Sequence, residues 1–366
     1  MKKKNILIIG LTDKIGGVET FIYNSITNMD KNKYSFYFLV HGSDHCVFES
    51  EINNFYSNEK HIFFIDSIKR HPFKTYKQLK KFYKEFENKI DIIHLQTGAA
   101  SEIMYVYPFC KKLNVNIISH SHNGNGYSPI INKLFRPMVK KYSNELLSCS
   151  NEASKWLFNT ENVTIINNGV DTNRFIFNKN RRSIRQDYNI NDDDIVLGHI
   201  GRFSEQKNHE FLIELFYELN KKYKNLKLLL VGVGELEEKI KNKVNVLKLN
   251  DKVIFAEKQS NTEDYYSSFD MFIMPSLYEG LPIVGIEAQC SGLFCLFSNN
   301  IDKKILLSDR SFIIELNKEQ WIVKINQIIN NKYYLCDREK YSKIIEQSGF
   351  SLKNTVEQLG DIYDRN

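Results

Sequence analysis

Four side chains in the second half of this 366-residue sequence have types and spacing suited to chemistry: Arg202 and Lys207 in GRFSEQKNHEF, and Glu279 and Glu287 in YEGLPIVGIEA. The two glutamates interrupt a stretch that is otherwise almost wholly apolar. Eight residues at about 100° each leave helical side chains roughly 80° apart, so the pair does not form one helix stripe. MFIMPS before them reads as a buried strand, and Pro282 suits the first position of a helix. Glu279 then falls in a tight loop and Glu287 on the helix that follows. Such a turn points free backbone N–H groups out of a helix start, where an anion can be held, while the carboxylates accept bonds from hydroxyls. A nucleotide sugar combines both features.

Arg202 closes the strand IVLGHIG, and Lys207 immediately precedes a helix with Asn208 as cap and Phe211, Leu212, Leu215 and Phe216 on its apolar face. Two cations beside a helix N-terminus oppose its dipole, and a bound diphosphate removes the conflict. A solvated Arg and Lys is the plainer reading of these two alone. Two carboxylates at another strand end of the same sheet turn the balance toward a site.

The elements that must position these groups alternate along the chain. NILIIG, YSFYFLV, HIFFID, DIIHLQ, VNIIS and VTIIN, then IVLGHIG, LKLLLVG, VIFAE, MFIMPS and LFCLFS, read as strands separated by helical stretches. That rhythm means βαβ units and parallel sheets, an α/β protein of two Rossmann-like, doubly wound domains. The polar stretch at 171 to 194 places the boundary near residue 175. A first domain over 1–175 and a second over 176–345 are followed by a helical tail over 346–366, interrupted near Gly349 and Phe350 and placed to pack back on the first domain. Ligands of doubly wound sheets bind beyond the carboxyl ends of the strands. Gly16, Gly17, His120, His122 and Asn168 follow strands of the first domain; Arg202, Gly232, Gly234, Glu257 and Glu279 follow strands of the second. If the sheets face each other, all of them line one interdomain cleft.

Composition narrows the class. With 42% hydrophobic and 26% charged residues the chain is that of a soluble globular protein, and a net charge of +6 from scattered lysines argues against a dedicated nucleic-acid protein. MKKKNILIIG begins like a signal peptide, but its apolar run is short and lacks a cleavage site, so it reads as a first strand. No apolar run approaches the ~18 residues of a membrane span, leaving peripheral contact as the only membrane mode. The six cysteines, at 46, 110, 149, 290, 295 and 336, have no metal or redox spacing and read as reduced, mostly buried thiols of a cytoplasmic protein.

Other motifs are weighed the same way. IGGVET offers Gly16 and Gly17 for close approach of a phosphate, with Val18 starting a helix; paired glycines are more often only a turn. Neither these nor VGVGELE, with Gly232 and Gly234 but Glu237 in third place, makes the G-x-G-x-x-G fingerprint of a dehydrogenase. HSHN puts His120 and His122 on the same side after an apolar strand. A lone histidine there would be a hydrogen-bonded structural group, but two favour a site, and which of them touches substrate stays open. NDDDI precedes its strand, so Asp192, Asp193 and Asp194 read as a solvated turn and not as a metal motif. No other cluster has ligand spacing, and no metal or cofactor is expected. In the basic stretches 69–86 and 132–142 we favour simple helix packing, with Phe73, Tyr76, Leu79, Tyr83 and Phe86 on the sheet; the alternative is a surface for anionic lipid headgroups.

R-x4-K after a glycine-ended strand, followed by E-G-L-P-x4-E, resembles the GT-B glycosyltransferases of family 4, retaining enzymes that use nucleotide sugars. GGVET, ISHSHN, SNEASKWLF, NNGVD, LLLVGVGELEEKI and PSLYEGLPIVGIEAQCSG extend the resemblance through most of the chain, toward the capsular and exopolysaccharide branch. The resemblance implies that Arg202 and Lys207 grip the donor diphosphate, Glu287 binds the ribose hydroxyls, Glu279 contacts the transferred sugar, and the backbone of Gly280, Leu281, Pro282 and Ile283 helps hold phosphate. Gly16, Gly17, Gly232 and Glu257 are taken into the donor site, and His122, with His120 and Asn168, into the vicinity of the sugar or acceptor. It implies a metal-independent, retaining hexosyltransferase with a UDP-linked donor and a growing, lipid-linked glycan as acceptor bound by the first domain, at work in the cytoplasm or on the inner face of the membrane. A GT-B sugar-nucleotide epimerase is the enzymatic alternative. A non-catalytic nucleotide-sugar or glycan-binding partner of another transferase is the alternative from a different class, and such a scaffold would need neither glutamate and neither cation.

Overall fold

A computed structural model describes residues 3–57, 59–109, 115–122, 129–178, 180–257, 259, 261–332 and 337–366. The chain divides into two compact units, Met1–Gly169 with Leu352–Asn366, and Val170–Ser351. The first holds a parallel sheet of β1 (Lys4–Ile9), β2 (Tyr34–His41), β3 (Ile62–Ile65), β4 (Ile92–Thr97), β5 (Asn116–Ser121), β6 (Glu145–Ser148) and β7 (Thr164–Ile165) in the order β3-β2-β1-β4-β5-β6-β7. Helices cover both faces, so both sets of alternating side chains must be apolar. Ile6 and Ile8 pack with Phe36 and Phe38 on one side, while Leu7 and Ile9 pack with Leu39, Ile93 and Leu95 on the other.

The second unit repeats the plan with β8 (Ile195–Ile200), β9 (Leu226–Val231), β10 (Val253–Ala256), β11 (Met271–Met274), β12 (Phe294–Ser298) and β13 (Ser311–Ile314), ordered β10-β9-β8-β11-β12-β13 and parallel throughout. Chain order reverses between β1 and β4 in the first sheet and between β8 and β11 in the second, the places where doubly wound folds open a crevice. The eleven strand segments expected from sequence are present. β6 and β13 were not expected, because ELLS and SFII are four residues long and, unlike the other four-residue strands, carry polar residues at their ends.

The chain crosses between units at Gly169/Val170 rather than near residue 175, and again at Ser351/Leu352 rather than at 346. The physical reason is packing: Val170 and Phe175 belong to the core that contains Tyr266 and Phe350, and Val170 N–H donates to Phe350 O at 2.8 Å. Gly349 breaks the tail with φ of +85°, a left-handed conformation that only glycine adopts at no steric cost. Beyond it the helix Leu352–Arg365 buries Leu359, Ile362 and Tyr363 in the core of the first unit. The Lys4 ammonium donates to Tyr363 O at 2.7 Å and Asp364 O at 2.9 Å, a cation where the helix dipole is negative.

Candidate functional site

In the second unit the loops after β8 and β11 are stitched together across the reversal of strand order. Leu277 N–H donates to Gln206 O at 2.8 Å, Gln206 Nε2 donates to Tyr278 O at 3.0 Å, and Asn208 Nδ2 donates to Pro275 O at 3.1 Å. Asn208 caps the helix His209–Lys222 as expected, its side chain accepting from Phe211 N–H. This stitching brings Lys207 Nζ to 2.6 Å from Glu279 Oε1, with the two side chains only 15% and 13% exposed. The cation that the sequence leaves at odds with its helix dipole therefore has a carboxylate partner of the protein's own.

Beneath Lys207 lies His199, whose Nδ1–H donates to Ile273 O at 2.8 Å. Burial, and then the charge of Lys207, hold this ring at about 4, so it is neutral near pH 7. Arg202 stands apart. Its Nη2 lies 3.0 Å from Glu235 Oε2, and the two side chains are 66% and 53% exposed, a loose pair that leaves the guanidinium able to swing to a ligand.

The helix Ile283–Cys290 begins one residue later than expected, with Pro282 as its cap. The backbone N–H groups of Gly280, Leu281, Ile283 and Val284 meet no acceptor among the described residues. Open N–H groups at a helix start form an anion site. On the same helix Glu287 Oε2 lies 2.8 Å from the Tyr266 hydroxyl, which is also 3.1 Å from Val284 O. Burial pushes Glu287 up to about 7, against the lowering influence of Tyr266 and Arg174. Arg174 Nε and Nη2 hold Glu263 Oε2 at 2.9 and 2.7 Å.

Gly232 and Gly234 act on backbone spacing. A Cβ at Gly232 would sit 2.2 Å from Gly201 O, and one at Gly234 2.5 Å from Phe203 O, so these glycines let the loop after β9 lie against the one carrying Arg202. Glu257 is exposed just past β10. Asp192 and Asp193 are exposed before β8, but Asp194 corrects the expectation of a solvated turn: it is buried, and its Oδ2 accepts from Asn191 N–H at 2.9 Å. Among the described residues no three His, Cys, Asp or Glu side chains are grouped to hold a metal ion.

In the first unit the helix Gly17–Asn28 starts at Gly17 with Gly16 as cap, one position before the expected Val18. Glu19, which the sequence reading passed over, folds back here. Its Oε1 accepts from the Thr12 hydroxyl at 2.7 Å, its Oε2 would lie 2.8 Å from a Cβ on Gly16, and burial pushes its pKa up. Any phosphate approaching Gly16 and Gly17 therefore meets a carboxyl group.

His120 and His122 do point to the same side, with ring centroids 4.1 Å apart, and both are held neutral by burial. Asn123 lies outside the described residues. Asn168 Oδ1 is buried without a partner among them. Cys46, Cys149, Cys290 and Cys295 are free thiols, with Cys149 half-buried; Cys110 and Cys336 lie outside the described residues.

The basic helices divide the expectation for them. Leu79, Tyr83 and Phe86 are core residues and the half-exposed Tyr76 stacks on Phe109, with centroids 5.4 Å apart, whereas Phe73 is 86% exposed, so the packing reading fails there. On the helix Pro129–Tyr142, Ile130 is 84% and Leu134 70% exposed beside Lys133. No helix of the described chain is long and apolar enough to cross a membrane.

Two doubly wound parallel sheets in one chain, with an open helix start and the Lys207–Glu279 pair joining two strand-end loops of the second, are the build of a GT-B glycosyltransferase. The sequence comparisons agree: residues 15–174 match the model described as Glycosyltransferase Family 4, and residues 180–348 the one described as Glycosyl transferases group 1. The chain is 30% identical over 303 residues to the putative glycosyltransferase EpsF of Bacillus subtilis, covering 79% of this chain and 78% of that one. It is 26% identical over 310 residues to the capsular polysaccharide biosynthesis glycosyltransferase CapH of Staphylococcus aureus, covering 80% of each. In three dimensions it resembles Anabaena HepE, a structure determined with UDP and glucose, at a TM-score of 0.81 with 15% identity, 98% of this chain and 99% of that one being covered. The protein belongs to the family 4 glycosyltransferases.

Proposed function

We propose that the protein transfers a hexose from a UDP-linked donor to a growing, lipid-linked cell-surface glycan with retention at the anomeric carbon. The observation that carries this reading is the juxtaposition of Lys207 with Glu279 beside four N–H groups without a partner among the described residues: donors for a diphosphate, and an acceptor for hydroxyls, within one pair of loops. Arg202, Lys207 and the N–H groups of Gly280, Leu281, Ile283 and Val284 hold the diphosphate and stabilise the negative charge that grows on it as the glycosidic bond breaks. Glu287 binds the ribose, while Glu279 and His122 act on the transferred sugar. The acceptor hydroxyl forms the new bond to the anomeric carbon on the face the diphosphate leaves, and its proton passes to a departing phosphate oxygen. No protein nucleophile is then required, and with two cations and a helix start on the diphosphate, no metal.

The lipid-linked acceptor is supported by the exposed Phe73, Ile130 and Leu134, with Lys74 next to Phe73 and Lys133 next to Leu134. Side chains of this size gain about 1.5–3 kcal/mol each when fully buried, and nearby lysines are drawn to anionic headgroups. We place the protein peripherally on the inner face of the cell membrane. The deciding experiment incubates it with a panel of nucleotide sugars, with and without lipid-linked glycan, and follows products by mass spectrometry. Transfer to the glycan supports the reading. Isomerised donor without transfer would make it an epimerase, and binding without turnover a scaffold.

A further inference from the structure

Tyr266 is a buried polar side chain to which the proposed chemistry gives no task. It lies within the second unit, on the helix Thr262–Ser268, and has no exposed surface. The rings of Phe175, Phe269 and Phe272 surround its own, with centroids 5.7, 6.1 and 5.9 Å away. Its backbone is pinned as well. Arg338, itself buried, donates from Nη2 to Tyr266 O at 2.9 Å and from Nε to Ser291 O at 2.8 Å, where the helix carrying Glu287 ends. One guanidinium thus ties the Tyr266 helix to the Glu287 helix and fixes the distance the hydroxyl must bridge.

What that hydroxyl can do follows from its one proton and its two acceptors, Glu287 Oε2 at 2.8 Å and Val284 O at 3.1 Å. Burial raises the phenol well above its ordinary value, so it keeps the proton. Val284 O sits in the first turn of its helix, where the N–H four residues on is its regular partner. An ionised carboxylate is the stronger acceptor of the two, so with Glu287 charged the proton points to Oε2. The other oxygen faces outward: Glu287 is half-buried, and its Oε1 has no partner among the described residues and is open to solvent. When Glu287 takes up a proton at Oε2 the bond reverses. Glu287 then donates to the Tyr266 oxygen, and the Tyr266 proton turns to Val284 O. Neither state strands a buried donor, so the pair can pass between them without losing a hydrogen bond.

We infer that Tyr266 is a positioning residue: by donating to Glu287 Oε2 it favours the carboxylate and turns Oε1 outward as the acceptor for the ribose hydroxyls of a nucleoside diphosphate. The ribose contact rests on the proposed place of Glu287; the bond between the two side chains does not. The other charged groups around Glu287 are Glu263, on the Tyr266 helix, and Arg174, on the segment that leads into the unit; Arg174 favours the charged form and Glu263 opposes it. On Glu287's own helix, burial keeps the Cys290 thiol protonated.

The test uses the full-length chain with ¹³C-labelled glutamate carboxyls and tyrosine Cζ, the Glu287 signal being assigned by its loss in Glu287→Gln. Wild-type Glu287 should titrate near about 7, and Tyr266→Phe, which keeps the ring but removes the donor, should raise that midpoint by about one pH unit. The carboxylate fraction at pH 7 then falls from about one half to about one tenth, so calorimetry should show UDP binding weakened about fivefold at pH 7 and restored to within about twofold of wild type at pH 9. A merely structural Tyr266 would cost the same affinity at both. In the wild type the Tyr266 Cζ signal should follow the Glu287 titration as the hydroxyl turns from one acceptor to the other, and this measurement carries the test if thermal melts show that Tyr266→Phe does not fold. A Glu287 midpoint unmoved by Tyr266→Phe, or a Tyr266 signal indifferent to the Glu287 titration, overturns the inference. If the midpoint rises but UDP affinity does not follow it, Tyr266 still orients Glu287 and the assignment of Glu287 to ribose is wrong.

Discussion

Replacing Glu279 by glutamine should tighten the binding of free UDP even as it slows transfer. In the ligand-free protein Lys207 Nζ is already engaged by Glu279 Oε1 at 2.6 Å. A diphosphate that takes up this ammonium must therefore compete with a carboxylate. The gross attraction of two unit charges at that distance is roughly 6 kcal/mol at an effective dielectric constant of 20. Desolvation of both groups offsets most of it, and for a pair exposed by only 15% and 13% a net coupling on the order of 1–3 kcal/mol remains. Glutamine keeps the shape and an acceptor but removes the charge, so about 1–2 kcal/mol of that coupling becomes available to the diphosphate, a fall in Kd of about fivefold to thirtyfold. Titration calorimetry of UDP at low and high salt checks it, with the gain shrinking as salt screens the charges. In a Lys207→Met background the same glutamine substitution should gain nothing. Unchanged or weaker UDP binding by Glu279→Gln, with Lys207 intact, would refute the claim that Lys207 is the diphosphate's cation.

Arg202→Ala should leave the melting temperature nearly unchanged, since its pairing with Glu235 is exposed, yet lower kcat/KM by at least about tenfold; wild-type activity sinks its assignment. Glu287, pushed up to about 7 from an ordinary 4.5, binds more protons folded than unfolded. Its contribution to stability is thus present in full below about pH 4.5 and lost as pH rises through about 7. UDP affinity, which needs the carboxylate for ribose, should weaken as pH falls below about 7; Glu287→Gln should bind UDP more weakly at pH 8 and flatten both profiles, and a wild type with no pH dependence between 6 and 8 would count against it. Liposomes of anionic lipid should co-sediment the protein at low salt where neutral ones do not, and Phe73→Asp or Leu134→Asp should release it; equal binding to both lipids would remove the basic surface from the picture. Activity and UDP affinity should survive EDTA, and loss rescued by Mg²⁺ or Mn²⁺ would overturn the metal-independent mechanism.

The strands were legible in the sequence because a parallel sheet covered on both faces needs apolar runs such as MFIMPS and LKLLLVG, which hardly depend on what lies next to them. β6 and β13 were not, because short segments with polar ends become strands only through their neighbours: Leu147 pairs with His120 on β5, and Phe312 with Leu296 on β12. The domain crossing was misplaced by a few residues for a related reason. A stretch as polar as DTNRFIFNKN looks like a linker until Phe175 is seen packed against Tyr266, with ring centroids 5.7 Å apart. Phe73 failed in the opposite sense, since a helical period identifies residues that share a face but not whether anything covers its end.

For the candidate site, what could be read was what lies within one loop: Arg202 at a strand end, Asn208 as cap, Glu287 on a helix whose first N–H groups are open. What could not be read was each group's partner, because strand order decides it. Lys207 and Glu279 are 72 positions apart and meet only because β8 and β11 are neighbours where chain order reverses. From sequence, the misplaced cation beside the helix His209–Lys222 demanded an anion, and a ligand was the anion inferred. The fold supplies a carboxylate first. That does not weaken the case for a diphosphate, since a stably neutralised lysine can stay buried and positioned between turnovers, whereas a bare one would swing to water. In the proposed function it changes what binding must do: the donor would exchange one anion for another on Lys207, and the Glu279 carboxylate released by that exchange would become free to accept from the sugar hydroxyls that arrive with it.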